Sequence, residues 1–270
     1  MARGRKRSTS SATNLEHDNK NKKRATKEEK ANEAVETAAM WGNSNGGTSS
    51  RSSRKASSSS SSRVNNQLAA SSKLFDAYCD HENDPTVINM EGIEKLCEHV
   101  GIDPMKDTRI LVLLWKLNAS EKPGHVTKEE WIKGCEKLGI DSIDKIKRML
   151  PSLETGFIDE DDFKEFYKFV FQFNREGTHR TLDKGLVTAL QELVLKDRID
   201  EKRLATWVDF LESQQNENYS RITLDQWISF FDFCLECEDL ETDYDEVNSA
   251  WPVLIDEYVE YMKTNNNKKK

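Results

Sequence analysis

The segment DDFKEFYKFVFQF constrains the fold more than any other part of the chain. Phe163, Phe166, Tyr167, Val170 and Phe171 fall at i, i+3, i+4, i+7 and i+8, which puts the large side chains on one face of an α-helix. Such a face must be buried against other apolar faces, and the sequence supplies them. The same spacing recurs in MEGIEKLCEHV, TRILVLLWKLN, TKEEWIKGCEKL, DSIDKIKRML, DKGLVTALQELVL, EKRLATWVDFLE, TLDQWISFFDFCLE and AWPVLIDEYVEYM. Thr127 with Glu130 and Thr223 with Gln226 have capping-box spacing, which satisfies free amides at helix starts. Strand signals are confined to VIN (87–89), HVT (125–127) and RIT (221–223), each directly before a helix. The predicted fold class is all-α, with the helix, loop, short extended piece, helix layout of an EF-hand.

Composition limits how much of the chain joins this core. Residues 1–67 hold 14 Lys and Arg against 6 Asp and Glu, a balance of +8, which leaves −16 for the remainder of a chain whose total is −8. The first part contains TSSRSSRKASSSSSSR and few large apolar residues, so burial there does not offset the entropy of ordering. It is read as a disordered basic tail. Five of the six tryptophans and all five prolines lie beyond it. Residues 68–263 form the expected folded domain, and 264–270 a short polar basic tail.

Several chemistries find no support. The loop DHENDPTVINME puts Asp80, Glu82, Asp84 and Glu91 at calcium-ligand positions 1, 3, 5 and 12, but Pro85 occupies the glycine position and cannot take the positive φ of that turn. In NASEKPGHVTKE, Lys122 at position 5 points a cation at the site, and QQNENYSRITLDQ offers hardly any carboxylates. No metal is expected. Cys234 and Cys237 form a lone C-x-x-C without a second pair, so two thiols one helical turn apart is the reading. The five cysteines are an odd number, no N-terminal apolar run resembles a signal peptide, and no stretch approaches a bilayer span. The five histidines are scattered, and neither hydrolase nor nucleotide-loop motifs occur. No catalytic residue and no cofactor are expected, nor is a membrane partner.

The tail repeats basic clusters, RGRKR at 3–7 and KNKKR at 20–24, a spacing that fits a two-part nuclear localisation signal. Without interleaved aromatics, nucleic-acid binding by this tail would be weak and salt-sensitive, so no specific nucleic-acid partner is expected. An EF-hand-like calcium sensor and a nuclear nucleic-acid adaptor are the alternatives that residues alone leave open.

The end of the chain separates these readings. NSAWPVLIDEYVEY, with DYDE just before it, closely resembles the end of the potentiating-neddylation (DCUN1) domain of the defective-in-cullin-neddylation, or DCN-like, family. The resemblance extends through LDQWISFFDF, FKEFYKFVFQF, TKEEWIKGCEKLGIDSIDKIK and ILVLLWKL, covering about residues 70–263. It implies two EF-hand-like helical subdomains packed into one domain, without calcium. It also implies a scaffold-type ligase component that binds a cullin C-terminal domain together with the acetylated N-terminus of a neddylation conjugating enzyme. Such a protein carries no thioester cysteine; its gain is orientation and effective concentration. The resemblance places the cullin-facing patch on Asp225, Ala250 and Asp256. It places the conjugating-enzyme pocket on Met90, Ile93, Ile110, Leu113, Leu114, Leu117, Phe173, Leu182, Leu190 and Leu193, with Leu114 and Leu190 standing where relatives can have alanine and tyrosine. The basic tail aligns the chain with the tailed, often nuclear, subgroup, so a nuclear and cytoplasmic location is expected.

Overall fold

The computed structural model describes residues 56–215, 217–239, 243–244 and 250–268. The paired basic clusters at 3–7 and 20–24, and the tail reading over residues 1–55, lie outside them. Among the described residues there are ten α-helices and four short strands. In chain order these are α1 (Ala56–Tyr78), β1 (Val87–Ile88), α2 (Met90–Val100), α3 (Arg109–Lys116), β2 (Val126–Thr127), α4 (Lys128–Leu138), α5 (Ile143–Met149), α6 (Glu160–Phe173), β3 (Thr181–Asp183), α7 (Lys184–Leu195), α8 (Glu201–Ser213), β4 (Arg221–Thr223), α9 (Leu224–Glu236) and α10 (Val253–Lys268). The mostly helical fold matches the periodicity. None of the described helices is long and apolar enough to cross a membrane.

Local chemistry fixes where the helices begin. Asn89, Asp159, Asp183 and Asp200 each accept a backbone amide of the following first turn. Thr127 with Glu130 and Thr223 with Gln226 form complete capping boxes, as their spacing predicts. The element bounds differ from the sequence expectation in three places. Helix α1 runs across the boundary expected at 67/68, and Gln67 Nε2 donates to the Cys135 carbonyl at 3.0 Å. Helix α10 likewise continues past 263. Strand β3 is not marked in the sequence, because its register comes from a partner forty residues away.

The strands form two antiparallel pairs. Val87 faces Thr127 and Ile88 faces Val126 in one; Thr181, Leu182 and Asp183 face Thr223, Ile222 and Arg221 in the other. Each pair thereby ties two helix–loop–strand–helix units together. A single apolar cluster then runs through both pairs' helices, with Trp131, Trp207 and Trp227 wholly buried in it. Burial at this scale dominates stability, at about 25 cal/mol per Å² of apolar surface. Close approach is built into the sequence at Gly92, where an added Cβ would lie 2.1 Å from the Tyr78 carbonyl oxygen. Helices α1 and α2 therefore meet backbone to side-chain position with nothing between.

Most buried polar side chains are paired; among the described residues Arg198 Nε and Trp251 Nε1 are buried without a hydrogen-bond partner. Gln191, fully buried on α7, donates to Tyr167 Oη on α6 and accepts from Trp207 Nε1 on α8, both at 2.8 Å. Tyr167 Oη donates to the Trp227 carbonyl of α9 at 3.2 Å, and Trp227 Nε1 returns a bond to the Tyr167 carbonyl at 3.0 Å. Four helices share one hydrogen-bonded chain, and such networks specify a single packing when every member is satisfied.

Candidate functional site

Two regions hold the residues that the resemblance singles out. The first is built by α2, α3, the end of α6, β3 and α7. Ile93, Ile110, Leu113, Leu114, Leu117, Phe173, Leu182 and Leu190 are buried, and Leu193 is half-buried. Met90 is 47% exposed. Most of the expected set is thus packed into the apolar core cluster, and Met90 is its exposed member. The meeting point is Gly124, in the α3–β2 loop. Its amide donates to the Phe173 carbonyl at 2.7 Å, and its Cβ position lies 3.8 Å from Met90 Cγ and Sδ. Its φ of +69° is one that L side chains rarely adopt.

The depression beside this point is lined by Ala119, Ser120, Lys122, Pro123, Phe169, Gln172 and Phe173. Only Phe173 belongs to the expected set. The others sit on the loop that the sequence suggests as a degenerate calcium loop, and on the α6 face opposite the most apolar stripe.

The loop is shaped by an anion of its own. Glu130 is 5% exposed, and its Oε1 accepts the Ser120 and Glu121 amides at 2.6 and 2.8 Å, while Oε2 accepts the Thr127 amide at 2.9 Å. The capping box is visible in the sequence; the second role of Glu130, gathering the amides of the loop ten residues earlier, is not. In the β1 loop, Asp80 accepts from the Asn83 amide and side chain and from Asn89 Nδ2. Its carboxyl is held below the usual range, first by the Asn83 backbone bond. Lys122 Nζ lies 3.5 Å from Asp84 Oδ2, crossing from one loop to the other. That sets a cation against the residue at ligand position 5 of the first loop. Among the described residues no group of three or more His, Cys, Asp or Glu is arranged to hold a metal ion.

The second region lies on α9, α10 and the segment between them. Asp225 is exposed in the first turn of α9, Ala250 is exposed ahead of α10, and Asp256 is half-buried in the first turn of α10. Leu254, Ile255, Tyr258 and Met262 are buried, as their helical spacing predicts, and Trp251 packs against the core. Tyr258 meets Phe230 and Phe233 of α9 edge-on, and Trp251 meets Phe233 at 5.7 Å. These contacts dock α10 on α9, so the three patch residues stand on two packed helices and their connection. Arg203 of α8 adds a clamp, donating to the Cys237 and Glu238 carbonyls just beyond α9. Asp256 Oδ1 accepts from Tyr244 Oη at 2.5 Å. Tyr244 is a site neighbour that the sequence analysis does not single out; its only sequence signal is its place in the DYDE stretch.

All five cysteines are buried free thiols. Burial pushes the thiols of Cys97, Cys135 and Cys234 up to about 12, far from thiolate chemistry at neutral pH.

A family model described as cullin binding matches residues 145–261, which include Asp225, Ala250 and Asp256. The chain is 32% identical over 197 residues to DCN1-like protein 5 of Homo sapiens, covering 72% of this chain and 78% of the relative. It belongs to the DCN1-like family. DCN1-like protein 4 of Homo sapiens is 31% identical over 201 residues, covering 74% of this chain and 66% of the relative. DCN1-like protein 3 of Drosophila melanogaster is 35% identical over 194 residues, covering 72% and 55%. The family match begins inside α5 and ends inside α10, so in this DCN1-like chain it spans α9 and the first part of α10 but leaves α1 to α4 outside. Met90, Ile93 and the α3 residues therefore lie outside the match, whereas Phe173, Leu182, Leu190 and Leu193 lie within it.

Proposed function

We propose that this DCN1-like protein is a non-catalytic scaffold for cullin neddylation. It binds a cullin C-terminal domain through Asp225, Ala250 and Asp256, and the acetylated N-terminus of a neddylation conjugating enzyme through the apolar set of Met90, Ile93, Ile110, Leu113, Leu114, Leu117, Phe173, Leu182, Leu190 and Leu193. The observation that carries this reading is the cullin-binding match over residues 145–261. Two features support it. The buried thiols, with those of Cys97, Cys135 and Cys234 pushed up to about 12 by burial, suit a protein that carries no thioester. The apolar side chains of Ile93, Leu113, Phe173 and Leu193 suit an acetylated terminus, because acetylation removes a charge that is costly to bury beside them.

The two strand-paired helix units serve as EF-hand-like subdomains within a domain spanning about residues 68–263, their loops closed by Glu130, Asp80 and Lys122 rather than by calcium. The basic tail directs a nuclear and cytoplasmic distribution. It makes no specific nucleic-acid contact, and no membrane partner is involved.

The test is a pull-down with a cullin C-terminal domain, followed by a neddylation assay. Truncating one desolvated partner of an interfacial ion pair typically costs about 2–5 kcal/mol. The combined Asp225→Ala, Ala250→Arg, Asp256→Ala variant is expected to lose cullin binding and stimulation while keeping helicity and binding of the acetylated peptide. Wild-type stimulation by that variant would refute the assignment.

A further inference from the structure

We propose that Tyr244 is a positioning residue for cullin capture, holding the Asp256 carboxylate in its binding orientation before the partner arrives. The inference rests on the cullin-site reading above. Tyr244 is half-buried between α9 and α10. Its ring meets Phe233 of α9 at 6.2 Å and 81°, edge-on, and Lys263 Nζ of α10 lies 5.4 Å from the ring centroid. The ring is thereby held by both helices that carry the patch. From this fixed ring the hydroxyl donates to Asp256 Oδ1 at 2.5 Å, a charge-assisted bond in the short range.

The arrangement orients the charge without cancelling it. Among the described residues no Lys, Arg or His forms an ion pair with Asp256. The donor on Oδ1 is a neutral phenol, so the negative charge stays available to a guanidinium or ammonium group of the cullin. An aspartate on a bare helix surface samples several rotamers, and a partner that fixes one of them loses affinity to that ordering. The Tyr244 bond places that ordering in the folded protein itself, which is pre-organisation of a binding group. The same bond joins Tyr244 to α10 at Asp256 itself.

The experiment is a double-mutant cycle on the full chain. Affinity for a cullin C-terminal domain is measured for the wild type, Tyr244→Phe, Asp256→Ala and the double variant, with thermal midpoints and acetylated-peptide affinity followed in parallel. Tyr244→Phe keeps the ring and its contacts and removes only the hydroxyl. It is expected to weaken cullin binding about three- to tenfold, the scale of immobilising one side chain, with the midpoint and peptide affinity unchanged. In the Asp256→Ala background the same change is expected to have no further effect, because the group it positions is gone. If Asp256→Ala weakens binding and Tyr244→Phe does not, the positioning role is refuted while the cullin site stands. Additive losses in the double variant would also overturn it, since Tyr244 would then act independently of Asp256. If Asp256→Ala and Asp225→Ala both bind like wild type, the site reading fails and this inference fails with it.

Discussion

Replacing Gln191 by leucine tests whether the buried hydrogen-bonded chain, rather than apolar packing alone, sets the relative placement of α6, α7, α8 and α9. Leucine is close to glutamine in volume, so the change removes polar atoms and leaves little cavity. Trp207 Nε1 loses the acceptor it holds at 2.8 Å in a side chain that is 0% exposed. A buried donor left without a partner costs about 1–3 kcal/mol. Tyr167 Oη loses the Gln191 donor but keeps its own donation to the Trp227 carbonyl, a smaller loss of about 0.5–1.5 kcal/mol. The expected destabilisation is about 2–4 kcal/mol. For a domain of this size that lowers the thermal midpoint by roughly 5–15 °C. Urea unfolding followed by tryptophan fluorescence measures it directly, since Trp207 and Trp227 both belong to the network. Gln191→Ala adds an unfilled cavity to the same polar loss and is expected to be worse by a further 1–2 kcal/mol or so. A Gln191→Leu variant within about 0.5 kcal/mol of wild type, the noise of surface substitutions, would show that the network contributes nothing, and an alanine variant more stable than the leucine variant would refute the cavity argument.

Other outcomes follow from single contacts. Gly92→Ala pushes a Cβ to 2.1 Å from the Tyr78 carbonyl, which backbone cannot relieve cheaply; a loss of about 1–3 kcal/mol is expected in chemical denaturation. Asp107 accepts from Arg109 Nε at 2.9 Å, and the Arg109 side chain first of all holds its carboxyl below the usual range. Because the folded value is lowered, this pair stabilises the protein above about pH 4 and the contribution fades as pH falls through the lower folded value; Asp107→Asn is expected to be less stable near pH 7 and to show a shallower acid limb in a pH series of thermal midpoints. Calcium at millimolar levels is expected to leave the midpoint unchanged, since Lys122 faces Asp84; a micromolar dissociation constant by calorimetry would overturn the reading of both loops. Removing residues 1–55 from a fluorescent fusion is expected to shift it from nucleus to cytoplasm, and unchanged nuclear entry would count against the tail assignment.

What the sequence determined by itself was whatever depends on neighbours within one or two turns. The spacing of Phe163, Phe166, Tyr167, Val170 and Phe171 sets a helix and its buried face, and Thr127 and Thr223 announce helix starts, because these are interactions across three or four residues. Asp225, Ala250 and Asp256 are different: only the family resemblance singles them out, and no local pattern in their stretches does so. Tertiary structure alone decided the rest. Strand β3 exists because Thr181 to Asp183 meet Arg221 to Thr223, and nothing in TLD on its own says so. Gln191 reads as a polar interruption of an apolar face until Tyr167 and Trp207 arrive from two other helices. Glu130 looks like a cap and nothing more until the chain turns Ser120 and Glu121 back onto it. Tyr244 reaches Asp256 only because α10 docks on α9 and the Tyr244 ring meets Phe233 of α9. In each case the partner's identity is fixed by how apolar faces pack, a global result of many burials, so the polar contacts that orient both sites are consequences of the fold and are not written in any one segment.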